Sequence, residues 1–321
     1  MVVENTDNMK SPKVSIIILN WNGWADTSEC LKSLYQINYP NYEIILVDNG
    51  STDGSQKAIK KGFPGVKLIE NKENLGFAGG VNEGIKCISG EYIAFLNNDT
   101  TVDQNWLDEL INPFLTTDEK IGATNSTIIN YKNTNEVGYG GNSKLNIFGQ
   151  TWASNKIEYG ISEVHTISGA SFMMKKEVID KLEEFLCPEY FAYFEEIDLS
   201  WRLINLGYKL LYAPKSVVYH KGGMTSKKIP DKMHVNKVRN KYLTFYRNLP
   251  KSKFLLSFPI LLFFDIVSVL VLIFYARKIR NARLRLKGIG EFFKLKKEVK
   301  WYGGGKMSFL DKHIFWDRLY L

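Results

Sequence analysis

Asp48, Asp99, the pair Glu195–Glu196 and His220 are the residues of this sequence whose types and settings suit chemistry on a phosphorylated ligand. Asp48 stands in ILVDNGSTDGS (45–55). A carboxylate there can accept a hydrogen bond from the imide N–H of uracil or thymine, a donor that cytosine lacks. The same Asp-Asn-Gly string also makes an Asx turn or a helix cap, and Asp53 reads as such a cap. Asn97-Asn98-Asp99 follows the apolar run YIAFL. Asp99 can hold Mg²⁺ or Mn²⁺, hard cations that bridge carboxylate and phosphate oxygens, and Asn97 can bond a ribose hydroxyl. Read alone, this string is only a turn.

Glu195, Glu196 and Asp198 cluster in FEEIDLSWR (194–202). Adjacent carboxylates raise one another's pKa, which suits a general base working near neutrality. Neighbours on a helix point about 100° apart, so one can face a ligand while the other pairs with a cation such as Arg202. A solvated acidic helix face has the same composition. His220 ends VVYH, and its imidazole is a candidate further metal ligand, although a lone strand-end histidine is commonly only polar surface.

These groups need rigid elements to bring them together. Val14–Asn20 and Tyr42–Asp48 are short β-branched apolar runs that read as buried strands. Helical spacing over 26–36, a strand at 66–70, a glycine-rich stretch 74–84 leading into a helix, and a strand at 92–96 follow. Strand and helix alternate about every 25 residues, the pattern of a mostly parallel sheet covered by helices on both faces. Ligands sit beyond the carboxyl ends of such strands, where Asp48 and Asp99 both fall. Residues 124–161 have weak periodicity and read as loops and short strands. A strand leading into a helix is expected over 164–175, a helix over 194–205, and strands at 208–212 and 217–220.

The order and spacing of seven stretches carry more than any one of them. VSIIILNWNG (14–23), ILVDNGSTDGS (45–55), NLGFAGGVNEG (74–84), FLNNDT (95–100), ISGASFMMKKEV (167–178), FEEIDLSWRLINLGY (194–208) and VVYHKGG (217–223) together resemble glycosyltransferase family 2. Within it the chain is similar to the rhamnosyltransferase-like and galactofuranosyltransferase-like members. The resemblance implies an α/β fold of GT-A type and an inverting, divalent-metal-dependent transfer from a nucleotide-diphosphate sugar. By it Asp48 matches the base-recognising carboxylate, with Asn20, Asn74, Gly76, Asn82 and Asn97 also on the nucleotide side. Asp99 matches the metal-binding end of the family's DXD motif, and His220 the histidine that completes the metal site. Glu196 takes the place of the catalytic base beside Glu195. Gly169, Ala170, Asp198 and Trp201 belong to the sugar and acceptor side. Two positions depart from the pattern: Asn97 replaces the first DXD carboxylate, and the usual Gly-Gly-Phe-Asp is replaced around Glu183–Leu186. The Gln-x-x-Arg-Trp motif of processive members is absent, so one transfer per encounter is expected.

Charge divides the chain. Residues 1–220 hold 19 Lys and Arg against 28 Asp and Glu, and residues 221–321 hold 23 against 6. A basic final third suggests an anionic partner, either nucleic acid or a lipid leaflet. It adjoins Phe254–Tyr275, which only Ser257, Pro259, Asp265 and Ser268 interrupt, and this favours lipid over nucleic acid. As a helix that segment is about 33 Å long, enough to cross a bilayer core. Basic residues flank both ends, and the positive-inside rule then favours an interfacial or re-entrant segment. Three cysteines without paired spacing argue against a disulfide framework or structural zinc. The polar start, without an apolar h-region, gives no secretory signal.

The expected organisation is a polar tail (1–12), a GT-A domain (13–250) and a membrane-associated region (251–321) at the cytoplasmic face of the cell membrane. The donor is expected to be a UDP- or dTDP-sugar, with rhamnose favoured by likeness. The acceptor is expected to be a lipid-linked or cell-envelope saccharide. A dinucleotide oxidoreductase would need Gly-x-Gly-x-x-Gly after the first strand, where Asn20-Trp21-Asn22-Gly23 stands instead. A catalytically silent nucleotide-sugar-binding scaffold is the remaining alternative.

Overall fold

The structure is a computed structural model that describes residues 11–145, 151–223 and 226–303. Most of the expected N-terminal tail and residues 304–321 lie outside the described residues. The first half alternates as its periodicity predicts: β1 (Val14–Asn20), α1 (Trp24–Leu34), β2 (Tyr42–Asp48), α2 (Ser55–Gly62), β3 (Lys67–Glu70), α3 (Gly76–Ile85) and β4 (Tyr92–Asn97). Then come β5 (Thr100–Val102), α4 (Trp106–Thr116), β6 (Ile121–Asn130), β7 (Val137–Tyr139), β8 (Lys144–Leu145) and β9 (Thr151–Trp152). The acidic segment follows β10 (Ser162–Val164), β11 (Ser171–Lys175) and α5 (Lys176–Asp180) as α6 (Glu195–Asn205), and β12 (Lys209–His220) closes the sheet. Helices α7 (Pro230–Asn248), α8 (Lys251–Leu270) and α9 (Ile279–Leu295) end the described chain, with a π-helical turn Val271–Tyr275 extending α8.

The main sheet has the order β10-β12-β6-β11-β4-β1-β2-β3, with β5 on β12 and β7 on β6. Strands β4, β1, β2 and β3 run parallel, and β11 is antiparallel to both β4 and β6. In β1 and β2 Ile16, Ile17, Ile18, Ile45, Leu46 and Val47 are all buried, which is why these strands are apolar without alternation. Their register aligns the carboxyl ends: Asn20 lies beside Asp48 and Leu19 beside Asn97. Asp99 therefore leaves the sheet on the same edge as Asp48. A Cβ on Gly80 would collide with the Leu19 side chain, so the glycine-rich stretch serves to seat α3 tightly on β1.

Three expectations are corrected. The stretch 124–161 begins inside a ten-residue strand, β6, which lies in the sheet between β11 and β12. Its periodicity is hidden because Thr124, Asn125, Ser126 and Thr127 are buried although polar. Three of them find partners on other elements: Thr124 Oγ1 donates to the Leu110 carbonyl, Ser126 Oγ meets Trp106 Nε1, Ser171 and Ser216, and Thr127 Oγ1 meets the Tyr212 hydroxyl. The strands expected at 208–212 and 217–220 are one strand, β12, with a register shift between Ala213 and Val217. The helix expected out of 164–175 is only the five-residue α5, behind a separate strand β11.

A second apolar cluster forms where Cys187, Tyr190, Ile197 and Trp201 meet Tyr242, Phe245, Leu249, Leu261 and Phe292. It runs across residue 250, so the C-terminal helices share a core with α6. Helix α9 lies parallel to α7, with Arg280 on Asp231 at their starts (2.8 Å) and Arg239 on Glu291 farther along (3.4 Å). Helix α8 runs antiparallel to both. Its buried Asp265 accepts from Lys241 (2.6 Å) and Tyr242 of α7 and from Arg285 of α9.

Candidate active site

Beyond the carboxyl edge of β1 and β4 lies a cavity of about 550 Å³. Asn74, Gly76, Asn97, Asp99, Gly169, Ala170, Glu195, Glu196 and His220 line it, so nine of the sequence candidates share one space. The turn after β4 delivers Asp99, and the end of β12 delivers His220, because His220 pairs with Thr100 in register. His220 Nε2 lies 3.0 Å from Asp99 Oδ1. A carboxylate and an imidazole side by side at a cavity wall are a donor set that fits a divalent cation, leaving positions for phosphate oxygens. Among the described residues, the one three-member group with metal-like spacing is Glu184, Cys187 and Glu189. Arg247 already lies there, 3.0 Å from Cys187 Sγ and 2.5 Å from Glu184, so a cation is built in.

Glu195 is buried and Glu196 half-buried, at the start of α6. Burial, and then the charge of Glu196, push the Glu195 carboxyl well above its ordinary range. Burial pushes Glu196 up to about 7. Glu195 Oε2 is buried without a hydrogen-bond partner, which suits the protonated acid more than the anion. The two face the same cavity as Asp99 and His220.

The turn ahead of α6 is held in a costly shape. Phe191, Tyr193 and Phe194 all have positive φ, at 61°, 73° and 73°. The Ala192 N–H donates to the Tyr190 carbonyl at 2.7 Å, closing a γ-turn centred on Phe191. Such residues cost about 1–3 kcal/mol each and persist only where their surroundings impose them. Here the buried Asn240 Nδ2 lies 2.7–3.0 Å from the carbonyls of Tyr190, Ala192 and Tyr193, and Arg239 reaches those of Glu189 and Tyr190. On the other side the Phe191 carbonyl accepts from Phe77 N–H at the start of α3. Gly76, at φ +75°, permits that approach, since a Cβ there would collide with the Phe191 carbonyl. Phe191, Ala192 and Tyr193 line the cavity.

Five candidates do not line it. Asp48 is fully buried, accepting from Asn20 Nδ2 (2.8 Å), Ser51 N–H (2.9 Å) and Gln56 Nε2 (2.8 Å). Asn20, also buried, ties the ends of β1 and β2 together through Asp48 and Ser51 and accepts from Thr27. Asn82, expected on the nucleotide side, bonds the Leu186 carbonyl and N–H and so braces the segment ahead of α6. Trp201 packs on Phe245 in the second cluster. Asp198, expected on the sugar and acceptor side, is fully buried outside the cavity lining and anchors α6 to α7, contacted by Arg202 (2.9 Å), Arg247 (3.0 Å) and Asn248 (2.7 Å). Burial alone would raise its pKa, but the Arg202 and Arg247 guanidinium groups outweigh this and hold it low. Asp198→Asn takes the carboxylate from between the buried Arg202 and Arg247, leaving Arg247 with Glu184 alone, and is expected to destabilise the fold by about 3–5 kcal/mol. Denaturant unfolding at neutral pH reads this, and a loss under 1 kcal/mol would refute it.

The sequence reading missed Trp21, Asn49, Asn98, Phe191, Tyr193 and Met233, all of which line the cavity. Asn98 had a signal, standing between two named residues. It bonds Thr27 Oγ1 at 2.9 Å. Met233 comes from α7, far along the chain, and nothing local marks it.

A family profile described as Glycosyl transferase family 2 matches residues 15–183, just over half of the chain. Poly-beta-1,6-N-acetyl-D-glucosamine synthase of Staphylococcus epidermidis is 24% identical over 223 residues, 68% of this chain and 52% of that protein. The solved structure of GalNAc-T7 with UDP, GalNAc and Mn2+ matches with a TM-score of 0.62 at 20% identity, over 77% of this chain and 50% of that one. The mannosyltransferase PcManGT from Pyrobaculum calidifontis, in complex with GDP-Man and Mn2+, matches with a TM-score of 0.57 at 15% identity, over 89% of this chain and 88% of that one. The chain spans between about a third and a half of the first curated relatives it matches. The likeness to the solved structures is one of fold, the GT-A arrangement.

Proposed function

This chain belongs to glycosyl transferase family 2, and from that premise we propose that it is an inverting, metal-dependent, non-processive glycosyltransferase. The observation that carries the reading is one cavity holding the Asp99–His220 pair and the Glu195–Glu196 pair. In the proposed step Glu196 takes the proton of an acceptor hydroxyl. That oxygen bonds to the anomeric carbon as the bond to the donor's diphosphate breaks on the opposite face. Asp99 and His220 would hold a divalent ion, Mn²⁺ or Mg²⁺, which neutralises charge on the leaving diphosphate. The Mn2+ bound in both solved relatives supports that choice. Asn74, Gly76 and Asn97 line the nucleotide side, and Gly169 with Ala170 the sugar side. Asp48 reads the base once Gln56 Nε2 gives up its oxygen to the imide N–H of uracil or thymine.

The donor is accordingly a UDP- or dTDP-sugar, with a rhamnose-like sugar favoured by the motifs. The acceptor is a lipid-linked or cell-envelope saccharide, met at the cytoplasmic face of the membrane. Thermal unfolding with a panel of nucleotide sugars tests this directly. UDP- or dTDP-sugars with Mn²⁺ should stabilise the protein by about 2.7 kcal/mol at 100-fold excess over Kd, and GDP- and CMP-sugars should not. No stabilisation by any donor sinks the reading. Stabilisation without donor hydrolysis or transfer would leave a silent binding protein.

A further inference from the structure

Helix α8 carries two unlike faces. Phe254, Phe258, Leu261 and Asp265 look inward onto α7 and α9. On the opposite side Leu256, Ile260, Phe263, Val267, Leu270 and Phe274 repeat at three- and four-residue spacing, with Leu256, Phe263 and Phe274 exposed by 73%, 63% and 77%. The uncovered stripe is about 27 Å long, a continuous apolar surface that a free-standing soluble face does not tolerate. Basic residues stand at both of its ends: Lys251 and Lys253 before it, Arg277, Lys278 and Arg280 after it.

Lys251–Tyr275 is long and apolar enough to cross a membrane, but the packing opposes a crossing. Asp265 is locked to Lys241 and Arg285 midway along the helix. At any depth α8 reached, α7 and α9 would be carried along with Lys241, Arg285, Arg239 and Glu291. Past Tyr275 the chain reverses at Arg277, in the left-handed region at φ +52°. It then returns beside α8, so that Trp301 Nε1 donates to the Leu249 carbonyl next to the helix's start. Both ends of the hairpin therefore belong to the body of the protein.

We propose that α8 lies flat in one leaflet of an anionic bilayer, its Leu256–Phe274 stripe among the acyl chains and its basic ends among the headgroups, without crossing. This deepens the membrane association proposed above and rests on it, but not on the transfer chemistry. An in-plane apolar helix with basic margins binds by just this combination of burial and charge. The geometry also places the cavity near the lipid. Ile229 and Met233, at the start of α7, line the cavity, while Asp231 on the same turn holds Arg280 at the far end of the stripe. An acceptor anchored in the leaflet would reach the cavity past the start of α7.

Two measurements on the full chain decide it. The protein should float with sealed phosphatidylglycerol-containing vesicles and at least tenfold less with pure phosphatidylcholine. The triple variant L256E/F263E/F274E, whose side chains lie outside the cavity, should lose flotation tenfold or more with donor hydrolysis unchanged. In sealed inside-out vesicles from expressing cells, Lys278→Cys should react with a membrane-impermeant maleimide above the wild-type background. Protection of that cysteine until detergent is added means that α8 crosses, and overturns the proposal. Flotation unaffected by the triple variant overturns it too, as does a wild-type dimer that the variant splits in the absence of lipid, which would put a second copy on the stripe. Absence of donor hydrolysis alongside intact flotation would count against the transfer reading alone.

Discussion

Glu196→Gln is expected to lower kcat by about 10²–10⁴-fold, the usual worth of a positioned general base, with donor KM little changed. Glutamine keeps the shape and loses only the capacity to take a proton. Because Glu196 is pushed up to about 7, the wild-type rate should rise with pH through that region and level above it, and the variant's residual rate should lack the limb. The same shift fixes a stability effect of opposite sign. Its folded pKa stands above the unfolded value of 4.5, so the fold binds the extra proton between about 4.5 and 7. The stability contributed by that proton is complete below the unfolded value and lost as pH rises through about 7. Glu196→Gln should then unfold at a higher temperature than wild type at pH 8 and show little difference at pH 4. Steady-state rates with a verified acceptor, together with melting curves at both pH values, check the pair of effects. If Glu195→Gln abolishes transfer and Glu196→Gln does not, the roles are exchanged.

Asp99→Ala should cost about 10²–10³-fold in kcat/KM, the range found when one preorganised electrostatic group is removed from a transition state. The expectation is large because charge is scarce there. Asn97 contributes no carboxylate, so Asp99 is the one anionic side chain of the Asn97-Asn98-Asp99 turn, and its companion His220 at 3.0 Å is a neutral ligand when it binds metal. His220→Ala should cost less and raise the Mn²⁺ concentration needed for half-maximal rate. Asn97→Asp, which adds a second charge at the same edge, should lower that concentration. Manganese titrations of donor hydrolysis after chelation read all three. A rate in Asp99→Ala that matches wild type and does not respond to chelation would remove the metal from this site.

Where the sequence was legible, the reason was geometric. Parallel strands buried on both faces need apolar β-branched runs, and VSIIILN and YEIILVD could be little else. Their shared carboxyl edge followed from the alternation with helices, and Asp99, His220 and the glutamate pair did converge there. Strand β6 was not legible because its buried stretch is polar, and Thr124, Ser126 and Thr127 find partners elsewhere in the chain, at Trp106, Leu110, Ser171, Tyr212 and Ser216. Asp198 and Trp201, expected on the sugar and acceptor side, lie outside the cavity lining for a related reason. A helix start carrying three acids does not reveal which way each one points, and two of the partners that hold Asp198 inward, Arg247 and Asn248, come from a helix 49 and 50 residues further along the chain. Phe191 and Tyr193 lie in a turn whose positive φ angles no residue type in YFAYF announces.

That turn bears on how the protein can be divided. Its carbonyls are gathered by Asn240 and Arg239, while the next two residues of the same helix, Lys241 and Tyr242, grip Asp265 of α8. One helical turn thus has the cavity wall on one flank and the hairpin of α8 and α9 on the other. A recombinant fragment cut ahead of α7 would relax the wall it was meant to preserve, and a graft of the hairpin onto another enzyme would have to bring α7 with it. The inheritable unit of this protein is larger than its catalytic motifs.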